Sequence, residues 1–277
     1  MWFMKPNPKP TILALTIALI SLSSCLHKAY YQNPVQANIG TYHAVPVASD
    51  SVKSAFYLSS SISLGGMNEN LRDNVLSLQL GTHRSHVLNR MRLYYGASAA
   101  VGSYNVKRYS SYGYDTYYLD TVSINRKAGT KFWGAYGAYG GISASAPMGR
   151  RGEWRYIGVE GSIFREFGEY RDFRKELPNR AATTIDKKNY MGSLGINTEL
   201  IFKGRSRKEF GMKFAFGSYL RTLQYSTDSS GYSYGTHDNL FYFSNAYHFT
   251  RDKTTTYVQL NIATHAANVQ FGVNYRF

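Results

Sequence analysis

Three kinds of side chain in this sequence are equipped for chemistry, and their surroundings decide what each can do. The first is a single thiol, Cys25, in "ISLSSCLHK". As the only cysteine it has no partner for a disulfide within the chain, and structural zinc sites draw on several Cys and His ligands. The second is the adjacent pair His237 and Asp238 in "GYSYGTHDN", a base beside a carboxylate, with His265 further on. The third is a set of charges inside alternating segments: Arg90, Arg92, Glu160, Glu199, Lys213 and Arg221. Two carboxylates such as Glu160 and Glu199 have the chemistry of a glycoside-hydrolysing acid and base. No Gly-rich phosphate loop, HExxH or CxxC accompanies them, so no cofactor and no metal is expected.

The stretch before Cys25 gives that thiol its role. Lys5 and Lys9 precede an apolar run over residues 11–22, which at about a dozen residues falls short of the ~20 that span a bilayer as a helix. Residues 1–24 read as a signal peptide, and its end, Leu22-Ser23-Ser24-Cys25, resembles the lipobox of bacterial lipoproteins. The resemblance implies a diacylglycerol on the Cys25 sulfur, cleavage before it by signal peptidase II, and acylation of the new amino group. Three acyl chains exceed the two signals that stable anchoring needs. The alternative is an ordinary signal peptide with an incidental cysteine.

The elements that must position the other groups are strands. The chain carries 32 Lys and Arg against 17 Asp and Glu, a net charge of +15, with 25 Tyr and 25 Gly. A basic Tyr/Gly-rich chain fits a disordered nucleic-acid binder or a membrane β-barrel; export argues against a nucleic-acid partner, and periodicity favours the barrel. Residues 25–52 show no sustained period and read as a lipidated tether. From residue 53 to 277 apolar residues recur at every second position. Phe56, Leu58, Ile62 and Leu64 share one parity, as do Leu76, Leu78 and Leu80, then Met91, Leu93 and Tyr95, while Ile157, Val159 and Ile163 oppose Tyr156, Glu160 and Ser162. Phe210, Met212, Phe214, Phe216 and Leu220 oppose Lys213, Tyr219 and Arg221. Period two puts such sets on opposite faces of a strand.

Ten such segments predict an all-β, transmembrane, antiparallel up-and-down barrel, with eight strands as the alternative; many exceed the ~9–11 residues that cross a bilayer. The short links "HRSH", "PMGRRGE", "KGRSRKE" and "TRDK" alternate with long ones at 104–129, 168–189 and 226–238, the asymmetry of outer-membrane barrels. The short links are basic, whereas many acidic residues fall in the long ones.

The last strand, with Val269, Phe271, Val273, Tyr275 and Phe277 in one parity, resembles the C-terminal signal that outer-membrane barrels present to their assembly machinery. With the lipobox, the chain resembles the outer-membrane barrel lipoproteins of Bacteroidota. That resemblance implies outer-membrane lipids, the barrel-assembly machinery and the lipoprotein-processing machinery as partners. Alternation also fits a soluble periplasmic β-sandwich lipoprotein.

Within a barrel the inward charges are expected to pair, because an unpaired buried ion is costly, and to fill the lumen rather than line a pore. At a barrel mouth His237 and Asp238 are similar to the Asp and His residues of omptin proteases, but no matching carboxylate pair stands opposite; His265 has no Ser partner motif of the lipid A deacylase kind. The chain is therefore expected to be no enzyme, with a barrel hydrolase as the rival. Tyr109, Tyr112, Tyr114, Tyr117 and Tyr118 in "YSSYGYDTYY", and Tyr232 and Tyr234 in "YSTDSSGYSYG", lie in Tyr/Ser/Gly loops. Such composition suits binding or adhesion to an extracellular ligand; an interfacial aromatic girdle is the plainer reading.

Overall fold

The structure, a computed structural model, describes residues 29–38, 41–47, 52–109, 120–149, 151–179, 181–204, 208–223 and 238–277, apart from the side chains of 221–223, 238 and 239. Ten strands close into one barrel: β2 (Ser54–Met67), β3 (Asp73–Leu88), β4 (Met91–Val106), β5 (Gly129–Met148), β6 (Gly152–Phe167), β8 (Tyr190–Lys203), β9 (Lys208–Leu223), β10 (Asp238–Arg251), β11 (Thr254–Ala263) and β12 (Ala266–Arg276). Each strand pairs antiparallel with the next, and β12 returns to β2 from Ala266 opposite Met67 to Arg276 opposite Tyr57. The count is ten rather than eight. Two-residue β1 (Tyr30–Tyr31) and β7 (Thr184–Ile185) form a separate parallel pair. Among the described residues, α1 (Val35–Asn38) lies in the N-terminal segment, and α2 (Thr121–Arg126) and α3 (Glu169–Glu176) lie in connections between barrel strands.

The barrel is apolar outside and polar inside. On β3, Leu80 is 53% exposed while its neighbour Gln79 is 7% exposed. A sandwich in water would bury the leucines and expose the glutamine. With one closed sheet in place of two facing ones, the β-sandwich alternative is ruled out. The outward rows, among them Phe56, Leu58, Ile62, Leu64, Phe210, Phe214 and Phe216, are 36–53% exposed, which suits hydrocarbon and not water.

Two details of register correct the sequence reading. Residues 83–86 are not a link. His83 and Ser85 are buried and Arg84 exposed, so alternation simply continues, and the turn falls at Asn89-Arg90, with Asn89 at φ 57. Asn tolerates that left-handed backbone, as two-residue hairpins require. Arg90 consequently sits exposed in the turn rather than in the lumen. The second detail lies in β6, where pairing with β8 shifts register between Arg155 and Gly158. A bulge adds one residue and reverses parity. Tyr156 and Ile157 both face outward, and Glu153 and Arg155, on the apolar parity by simple counting, turn into the lumen.

The high Tyr and Gly content also finds a packing reason. Inward rings lie across glycines of adjacent strands: a Cβ on Gly272 would meet the Tyr257 ring at 2.3 Å, and one on Gly217 the Tyr242 ring at 2.5 Å. Glycine lets the aromatic lie flat on the sheet, filling a narrow lumen that two branched side chains could not share.

Candidate functional site

The lumen is filled from two sources, the strands and the chain's own N-terminal segment. On the strands, Arg92 Nε lies 3.2 Å from Glu153 Oε1, and Arg155 Nε donates to the same oxygen at 3.2 Å. Arg155 Nη1 also donates to Glu199 Oε2 at 2.5 Å, and His248 Nε2 lies 3.0 Å from Glu199 Oε1. A second cluster centres on Glu160 Oε2, which accepts from Lys213 Nζ at 2.5 Å, Asn197 Nδ2 at 2.9 Å and the Tyr94 hydroxyl at 3.2 Å. All these groups are buried, except the partly covered Asn197. Paired in this way, a buried charge avoids the penalty of standing alone.

Glu160 and Glu199 therefore belong to separate clusters. Neither resembles the free acid and base of a glycosidase, whose carboxyls must face a sugar. The cavity beside Glu160 holds about 20 Å³, room for roughly one water. Arg92, Glu160, Glu199 and Lys213 are where sequence parity put them. Glu153, Arg155 and His248 complete the network, and only the bulge in β6 brings in the first two. Arg221 belongs to β9, but its side chain lies outside the described residues.

The N-terminal segment enters this network end to end. At the long-loop mouth, Ala29 N–H donates to Thr183 Oγ1 at 3.1 Å, Tyr30 N–H to Asn68 Oδ1 at 2.7 Å, and the Tyr30 ring stacks on His265 at 3.6 Å. Gln36 Nε2 donates to the Thr264 carbonyl at 3.0 Å. Further in, Thr41 Oγ1 donates to Gln79 Oε1 at 3.0 Å and accepts from Gln270 Nε2 at 3.3 Å. The Tyr42 hydroxyl donates to Glu199 Oε1 at 3.0 Å, and His43 stacks on Tyr139 at 3.9 Å. Nearer the short turns His83 Nε2 lies 2.8 Å from the Ala44 carbonyl, and Arg155 Nη2 donates to the carbonyls of Val45 at 2.9 Å and Pro46 at 3.3 Å. What reads in sequence as a tether is, over its described residues, a plug.

Described parts of two long-side connections close over the plug. α3 turns Tyr170, Phe173 and Arg174 inward, with Glu169 and Asp172 in its first turn and Arg174 and Lys175 in its last, as the helix dipole favours. Tyr170 stacks on Tyr104 at 3.8 Å, and Phe173 meets Tyr31 edge-on at 5.3 Å. Arg174 is wholly buried, bonded to Glu166 and 3.7 Å from Asp186 Oδ2. Tyr109 is buried too: Asn68 Nδ2 donates to its hydroxyl at 3.3 Å, and the Arg72 guanidinium lies 4.0 Å above its ring. Burial and then the Asp73 carboxylate push its hydroxyl up to about 12. Tyr109 is an anchor of its loop, not an exposed contact. Cys25, His237, Tyr112, Tyr114, Tyr117, Tyr118, Tyr232 and Tyr234 lie outside the described residues, and of Asp238 only the backbone, at the start of β10, is described.

At the opposite mouth a cavity of about 470 Å³ is bordered by Lys203, Lys208, Lys253 and Arg276, and it ends on Tyr42 and Pro46 of the plug. Among the described residues no group of three or more His, Cys, Asp or Glu could hold a metal ion, and no helix is long and apolar enough to cross a membrane.

The chain is a plugged barrel. Neither a protein-family model nor a curated protein matches it. Among solved structures, an outer-membrane channel from Pseudomonas putida F1 shares 10% identity over 86% of this chain and 98% of its own, with a TM-score of 0.40. The translocator domain of the autotransporter NalP from Neisseria meningitidis shares 7% identity over 83% and 90%, at 0.38. The KdgM porin shares 10% over 80% and 99%, at 0.28. Likeness this distant transfers no activity from those proteins to this one.

Proposed function

We propose that the chain is an outer-membrane barrel lipoprotein, anchored through Cys25 after removal of residues 1–24. It works as a closed scaffold that presents its long-loop mouth, rather than as a pore or a hydrolase. The observation that carries this reading is the lumen, occupied from one mouth to the other by residues 29–38 and 41–47 and with its carboxylates already paired. The apolar outer wall supports membrane residence. Exposed Arg90, Arg151, Lys208, Arg251 and Lys253 around the short-turn mouth suit the anionic head groups of an inner leaflet, which leaves the long loops to face outward. There the Tyr/Ser/Gly segments at 110–118 and 225–235 would supply adaptable contact surface to an extracellular ligand.

Two measurements test the reading. An alkyne analogue of palmitate should label the outer-membrane form of the wild-type chain and not Cys25→Ser; equal labelling of both removes the anchor. Deleting residues 226–236 should leave a folded barrel while reducing attachment of producing cells to glass or to one another. Unchanged attachment removes the binding role.

A further inference from the structure

The course of the plug fixes which way the chain runs through the barrel, and that direction bears on the lipid. Ser54, where β2 begins, lies at the short-turn end, since it pairs with His86 just before the Asn89-Arg90 turn. Ala29 lies at the other end, bonded to Thr183 in the β6–β8 connection, and Tyr30 touches Asn68 and His265 in two further connections of that end. Thr41 meets the middle of β3 and β12, and Val45 and Pro46 meet Arg155 near the start of β6. Going backwards from β2, the chain therefore crosses the whole lumen and arrives at the long loops. We propose that the N-terminal end leaves the barrel through the long-loop mouth, so that a lipid carried on Cys25 enters the leaflet that the long loops face.

Chain length allows no other exit. Cys25 lies four positions before Ala29, a reach of at most about 14 Å. Strands of 14 to 16 residues such as β2 and β3, rising ~3.3 Å per residue at a tilt of about 40°, make a wall roughly 35 Å tall. The short-turn leaflet is out of reach. The near rim is not: ten strands spaced ~4.8 Å apart give a radius of roughly 10 Å. The threading also constrains assembly, because an acylated end cannot be drawn through a filled lumen. The β2–β12 seam must close with the plug in place, and Gln270 on that seam holds Thr41 as well as Ser61, the latter at 2.9 Å.

This inference takes the anchor from the reading above, yet its test separates the two. Three single-cysteine additions to the full-length chain, His27→Cys, Ser229→Cys and Lys253→Cys, would be exposed to a membrane-impermeant maleimide in intact and in permeabilised cells. The parent chain, whose Cys25 is acylated on the proposed reading, serves as the blank. Position 27 should label with position 229 and differ from position 253. If position 27 instead follows position 253, the threading is wrong, whatever the lipid does. If the parent itself reacts with maleimide and takes up no palmitate, the anchor fails, and the parent's own labelling in intact against permeabilised cells then reports the side of the N-terminal end through Cys25.

Discussion

Arg155 ties the strand network to the plug, and removing it should show how much that joint contributes. It makes two charged bonds, to Glu153 at 3.2 Å and Glu199 at 2.5 Å, and donates to the plug carbonyls of Val45 and Pro46. Arg155→Met keeps the packed stem and leaves Glu153 with Arg92 alone, and Glu199 with Tyr42 and His248 but no arginine. Two charged hydrogen bonds at about 1.5–3 kcal/mol each bracket the loss, and one-sided removal of buried pairs costs about 3–5 kcal/mol. Adding Glu199→Gln removes the stranded charge, so the double variant should lose about 1–3 kcal/mol less than the two single losses combined. Urea unfolding in liposomes, followed by fluorescence of Trp133 and Trp154, would measure all three variants. If Arg155→Met stays within about 0.5 kcal/mol of wild type, or the two losses simply add, the network is not coupled as described.

Other perturbations address the wall, the lumen and the mouth. Phe214, on the outer face of β9, becomes a charge in hydrocarbon in Phe214→Arg, expected to cost about 2–4 kcal/mol near the midplane in the same liposome assay. Gly272→Ala drives a methyl into the Tyr257 ring and should cost about 1–3 kcal/mol, as overpacking does; near-neutral behaviour would mean the ring moves freely. Tyr109 ionises at about 12 in the folded chain against about 10 when unfolded. Its folded form favours the proton, so its contribution is present below about pH 10 and fades as pH rises through about 12. Tyrosinate absorbance of wild type minus Tyr109→Phe should therefore show a late step, and a step near pH 10 would contradict its burial.

The barrel was legible because its strands obey one strict period, and lipid outside with polar filling inside makes that period visible at Leu76, Leu78 and Leu80. Legibility stopped where counting by two stops. The β6 bulge moved Glu153 and Arg155 from the apparent outer parity to the centre of the lumen, and nothing local in "EWRYIGV" announces an extra residue. His83 and Ser85 looked like a polar link because polarity marks loops in water, whereas inside a barrel it marks the core. Asn89, a residue suited to positive φ, was the better turn signal. The plug was hidden for a related reason: residues 29–38 and 41–47 have no period to read, since their partners are scattered, with Thr41 on β3 and β12, Tyr42 on β8, and Val45 and Pro46 on β6. Tyr109 likewise looked like loop surface by composition, and only the long-range meeting of Asn68, Arg72 and Asp73 buries it.

Single-channel recording in a planar bilayer tests the filled lumen most directly. The full mature chain should insert without steady conductance steps, because residues 41–47 and the Arg155 network occupy the path. A chain lacking residues 29–47, if it inserts, should conduct through a lumen lined by groups such as Ser61, Gln79, Asn268 and Gln270. Stable open-channel current from the full chain would contradict a closed barrel.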